Sequence, residues 1–78
     1  MEIKKVLKGF KPSEVRKILD KSRLTLEEYT VAVGAFLEKN YREKTCKECY
    51  ISLSKYNILL NRVITKIESY INIKLFEQ

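Results

Sequence analysis

Histidine is absent, aspartate occurs only at Asp20, proline only at Pro12, and glycine only at Gly9 and Gly34. Without histidine the chain lacks the usual general base and the commonest metal ligand, which argues against an enzyme. Cys46 and Cys49, three positions apart, are the only cysteines. They do not make the disulfide framework of a small secreted domain, so reduced thiols are expected. No stretch approaches the roughly 20 apolar residues of a membrane span. The opening Met1-Glu2-Ile3-Lys4-Lys5 has no apolar core of the signal-peptide kind. A cytoplasmic protein with no membrane span is the expectation. Beyond Gly34 there is neither glycine nor proline, so nothing of that kind interrupts a helix there.

What is present is helical periodicity. From Tyr50 to Phe76, large apolar residues recur at Leu53, Tyr56, Leu60, Val63, Ile67 and Tyr70. Alternating steps of three and four stack side chains on one face of an α-helix. Ile64, Ile71 and Leu75 widen the stripe, and polar residues take the opposite side. Upstream, Ile3, Val6, Leu7 and Phe10 suggest a short helix over 2–8, with Gly9 as its stop. Lys11-Pro12-Ser13-Glu14 restarts the chain: proline suits a first helical turn and Glu14 favours its positive end. That predicts a helix over 12–21 with Val15, Ile18 and Leu19 inward.

Thr25-Leu26-Glu27-Glu28 is a capping-box pattern, and Leu26, Tyr29, Val33, Phe36 or Leu37, and Tyr41 form a stripe over 26–43. Gly34 inside that stripe fits close approach of another helix; a turn at Gly34 is the alternative. Thr45-Cys46-Lys47-Glu48 is a second capping-box match and suggests a break near Lys44, with the last helix over 46–76. Nothing in 40–45 forbids fusion of the two. The expected fold is all-α: a small antiparallel bundle of three to four helices, one domain over 1–78, organised around the long C-terminal helix. At about 1.5 Å per residue that helix would run roughly 46 Å, longer than so small a globule. Its far end must be covered by the first two helices or by a second chain. Ile67, Tyr70, Ile71, Leu75 and Phe76 are therefore candidates for self-association as a homodimer.

The net charge of +6 is unevenly distributed. Lys4, Lys5, Lys8, Lys11, Arg16, Lys17, Lys21 and Arg23 face only Glu2, Glu14 and Asp20 across the first 23 residues, a balance of +5. Lys4, Lys8 and Lys11 share one helical face, and Lys17 and Lys21 another. Such a field favours nucleic acid or another anionic surface as neighbour, with an ordinary solvated face as the plainer reading. These eight side chains are the candidate nucleic-acid contacts.

Two other groups could carry chemistry. Cys46-Lys47-Glu48-Cys49 has C-x-x-C spacing, but zinc wants four ligands, and one chain supplies two. Only a zinc bridging two chains would have enough. A redox dithiol normally sits in a βαβ setting, absent here, although a helix N-terminus at Cys46 would favour thiolates. The five tyrosines mostly fall on apolar stripes and read as core or interface residues. No cofactor, metal or catalytic residue is expected.

The segment VRKILDKSRLTLEEYTVAVG, Val15 to Gly34, is similar to the opening of Cro/repressor-type helix-turn-helix domains. In those domains, polar residues after the glycine read base edges. Here that slot holds Ala35, Phe36 and Leu37, which belong in a core; the basic residues spaced along the first two helices are instead the expected contacts, to phosphates without reading sequence. The functional expectation is a small regulatory or accessory protein that binds nucleic acid through its basic first third. The alternative is a helical adaptor or inhibitor docking an apolar helix face onto a protein partner.

Overall fold

A computed structural model describes residues 3–39 and 42–76, with side-chain surroundings for 6–39 and 42–72. Five α-helices follow one another: α1 (Ile3–Lys8), α2 (Pro12–Lys21), α3 (Leu26–Ala32), α4 (Arg42–Cys49) and α5 (Leu53–Phe76). A π-helical turn, Val33–Leu37, continues directly from α3. Among the described residues there is no strand, and the fold is an all-α bundle. The expected start of the first helix at residue 2 lies outside the described residues.

Local chemistry sets the first boundaries. Lys11 precedes α2 in extended conformation, and its N–H donates to Glu14 Oε1 at 3.1 Å. Ser22 closes the helix by donating its hydroxyl to the Ile18 carbonyl at 2.6 Å. Thr25 and Glu28 form the expected capping box. The Glu28 N–H donates to Thr25 Oγ1 at 3.2 Å and the Thr25 N–H to Glu28 Oε1 at 2.9 Å. Each bond satisfies a backbone donor that a helix start would otherwise leave free.

The third and last helices differ from expectation. The expected helix over 26–43 tightens into no single α-helix: the Glu38 N–H reaches back five residues to the Val33 carbonyl at 2.9 Å. Lys39 then turns into the left-handed region at φ 55° and ends the element. The expected break near Lys44 does not occur. Thr45 lies inside α4, and its hydroxyl caps nothing. The chain breaks at Tyr50, where the Tyr50 N–H bonds to the Lys47 carbonyl and the Ile51 N–H to the Cys46 carbonyl. This is a Schellman closure, with Tyr50 at φ 56° in the position that glycine usually takes. Ser52 then opens α5, its hydroxyl accepting the Lys55 N–H at 3.1 Å.

Tyr50 is 96% exposed, so its strained backbone is not offset by packing. Tyr50→Gly should raise stability by a few tenths to about 1 kcal/mol: relief of the left-handed penalty is partly cancelled by glycine's greater freedom when unfolded. A urea midpoint that falls instead would show that the tyrosine ring holds α4 against α5.

The core has two parts along α5. Near its start, Val31, Cys46, Tyr56 and Leu59 are buried together, with Ile51 and Leu60 packed against them. Further along, Leu7, Val15, Leu19, Ala32, Val63 and Ile67 form the second cluster, flanked by Phe36, Leu37, Ile64 and Ile71 among others. The neighbours Val31 and Ala32 thus serve different clusters, which makes α3 the element that joins them. On α5 the deepest line is Tyr56, Leu59, Val63 and Ile67; Leu53 is 46% exposed and Leu60 only half-buried, against expectation. Leu26, expected on the inner stripe of α3, is 84% exposed. The molecule measures 41 × 21 × 20 Å. An α5 of 24 residues, about 36 Å long at 1.5 Å per residue, fits within that length.

Candidate nucleic-acid interface

The basic residues of the first third come from α1, α2 and the corners beside them. Val15 and Leu19 turn inward, and this orients the rest of α2: Lys17 and Lys21, one turn apart, are both exposed. Lys8, Lys11, Arg16 and Arg23 are exposed as well. Lys4 and Lys5 are on helix α1, but their side chains lie outside the described surroundings. The ion pairs among the described residues are elsewhere: Arg42 with Glu43, Lys55 with Glu27, and Lys66 with Glu28. Among the cations of α1 and α2 with described side-chain surroundings, none forms an ion pair with a described residue. The charge of Lys8, Lys11, Lys17 and Lys21 is therefore not neutralised by a described ion pair.

These cations do not all converge. Lys17 and Lys21 belong to the outer side of α2. Arg16 lines a recess with Tyr29, Val33, Glu38, Thr45 and Glu48, so its field is partly answered by carboxylates. Lys8 lines a different depression, together with Lys39. Lys39 was not among the expected contacts, since nothing in sequence brings a residue 31 positions away beside Lys8. Arg23, at φ 57°, ends α2, and its carbonyl accepts a hydrogen bond from Lys66 at 3.4 Å.

That corner is locked from beneath. Glu28 is only 2% exposed and receives both the Lys66 ammonium, at 2.5 Å, and the Thr25 N–H. Burial disfavours its charged form, but the Lys66 hydrogen bond and the Thr25 donors outweigh burial and hold its carboxyl below the usual range. The carboxylate is thus ionised at neutral pH, and it ties the turn between α2 and α3 to α5. Sequence offered half of this signal: the capping box named Glu28, but not its long-range partner.

The candidates for self-association divide differently. Ile67 is fully enclosed by its own chain, because α1 and α2 cover the second half of α5. It is not available to a second copy. Tyr70 and Ile71 are half-buried, Ile71 against the same core, while the side chains of Leu75 and Phe76 lie outside the described surroundings.

Cys49 and Tyr56 sit where burial favours the protonated form. Cys46 is buried and Cys49 half-buried, both as free thiols. Burial, followed by the neighbouring Glu48, pushes the Cys49 thiol up. Both residues fall in the second half of α4, so the expected helix N-terminus at Cys46 is not there, and Cys49 faces the negative end of the helix dipole instead. Burial likewise pushes up the Tyr56 phenol, which belongs to the core. Among the described residues no group of three or more cysteine, aspartate or glutamate side chains is placed to hold a metal ion. None of the described helices is long and apolar enough to cross a membrane. Ala35, Phe36 and Leu37 are half-buried within the π turn, and Phe36 and Leu37 pack against the core.

Compared with protein families, with curated proteins and with solved structures, the chain matches none.

Proposed function

We propose that this chain is a non-enzymatic binding module, regulatory or accessory in role, that holds nucleic acid by its phosphates through α1 and α2. One observation carries the reading: Lys8, Lys11, Lys17 and Lys21 are exposed and form no ion pair among the described residues, while the cations of α4 and α5 include three already paired. Uncompensated ammonium groups release counterions from a polyanion, and that release is the main source of sequence-independent affinity. The filled slot at Ala35–Leu37 supports backbone contact over base readout. Homodimerisation, if it accompanies binding, would fall to the end of α5 around Tyr70 and Ile71.

Fluorescence anisotropy with a labelled 20-base-pair duplex tests this. Binding is expected at about 50 mM salt and should weaken steeply as salt rises. Lys17→Glu with Lys21→Glu should weaken it further and lower the slope of log affinity against log salt by about 2, one per lost phosphate contact. Helicity should be unchanged, because neither side chain is buried. No binding by the unsubstituted protein at about 50 mM salt would sink the proposal.

A further inference from the structure

Between the α1–α2 corner and the end of the π turn lies a trough of about 340 Å³. Its walls are apolar, from Leu7, Phe10, Val15, Phe36 and Leu37, and its two charged lining residues are Lys8 and Lys39. The floor reaches the core itself, since Leu7 and Val15 are core residues, while Phe10 remains 38% exposed. Backbone geometry at the far side fixes the rim: Lys39 stands at φ 55°, in the residue that ends the π turn. Neither lysine forms an ion pair with a described residue. A depression of this size admits one or two large apolar side chains, and its cationic rim prefers an occupant that brings carboxylates.

We propose that this trough is a docking site for an acidic, apolar-anchored segment of a partner protein. A Phe, Leu or Ile of the partner enters between Phe10 and Phe36, and flanking Asp or Glu side chains meet Lys8 and Lys39. Charge complementarity selects this occupant. A nucleic acid offers the anions but no aliphatic anchor for the floor. A second copy of this chain would have to bring an acidic apolar element of its own. Leu26 beside Glu27 is such an element, but Glu27 is already paired with Lys55 at 3.0 Å. The trough shares Lys8 with the proposed phosphate contacts, but Lys17 and Lys21 lie outside it, so charge reversal at Lys17 and Lys21 tests the one without the other.

Selection of a random 12-residue phage-displayed peptide library against the intact protein tests the site. Enriched peptides are expected to combine a large apolar residue with flanking Asp or Glu. One of them, made synthetically and fluorescently labelled, should lose at least tenfold in affinity to Lys8→Glu with Lys39→Glu. It should be unaffected by Lys17→Glu with Lys21→Glu. Selection repeated on the Lys8→Glu, Lys39→Glu protein should turn the flanking residues basic, a readout that requires the variant to be folded, which circular dichroism checks. Failure to enrich, enrichment without acidic residues, or equal loss with both charge-reversal pairs would overturn the proposal. So would light scattering that shows self-association through the trough, abolished by Lys8→Glu with Lys39→Glu.

Discussion

Ile67→Ala should leave the protein unfolded or nearly so. Ile67 is fully buried at the point where α5 meets α1, α2 and α3, and it shares its cluster with Leu7, Val15, Leu19 and Val63. Removing three carbons from such a site loses their transfer free energy and leaves a cavity, about 2–5 kcal/mol together. A domain of this size has roughly 5 kcal/mol to lose if it lies at the low end of the usual range. Leu60→Ala makes the comparison, because Leu60 is only half-buried and packs on the rim of the other cluster. It should cost clearly less, and thermal unfolding followed by circular dichroism separates the two. An Ile67→Ala protein that melts within a few degrees of the parent would mean that α1 and α2 do not cover α5. The effect should also be independent of protein concentration, since the cover is supplied by the same chain.

Gly34→Ala should destabilise the protein, although the same change in an ordinary helix interior stabilises it by about 1 kcal/mol. A Cβ at position 34 would stand 2.7 Å from Thr45 Oγ1 and 3.4 Å from its Cγ2. Thr45 is 2% exposed, short and branched at Cβ, so it has no flexible end to swing aside. Either α4 moves off the π turn or the turn rearranges, at a cost of about 1–3 kcal/mol. Thr45→Ala removes the colliding atoms. It also removes a buried hydroxyl that has no hydrogen-bond partner, so its own cost should be small. In the double variant much of the Gly34→Ala penalty should disappear, a coupling that chemical denaturation of all four proteins measures directly. Additive effects, or a stabilising Gly34→Ala, would show that α4 does not press on Gly34.

Much of the fold was legible because its signals act within four residues. Pro12 and Glu14 start α2, and Thr25 and Glu28 start α3, through bonds between near neighbours that no distant packing needs to arrange. The periodicity of the C-terminal third identified the inner face of α5 to within one residue, though not its start, which lies at Leu53 rather than at the expected 46. The missed boundary has a physical reason. Thr45-x-x-Glu48 has the spacing of a cap, but the same residues are equally able to sit inside a helix, and burial of Thr45 against Gly34 favoured the interior. The actual stop, Tyr50, is not a residue type that advertises a left-handed conformation. Ser52 caps α5 without a reciprocating Glu or Gln, since position 55 is Lys55, which already has Glu27 as partner.

By itself, the sequence determined that the chain is all-helical, where its second and third helices begin, that Gly34 admits close approach, and that positive charge gathers in the first third. Periodicity, capping and composition are local or additive, and so they survive without coordinates. Only the tertiary structure decided which surfaces meet. It put α1 and α2 over Ile67, so that no second chain is needed there, and it set Lys66 beneath Glu28. It chose Leu59 over Leu60 for the core, sent Arg16 and Lys8 to different depressions, and brought Lys39 to the mouth of one of them. Each of these depends on the relative placement of residues 30 or more positions apart, or on a rotation of α5 by about one residue. Both are set by how two faces pack, and a face does not carry the identity of its partner.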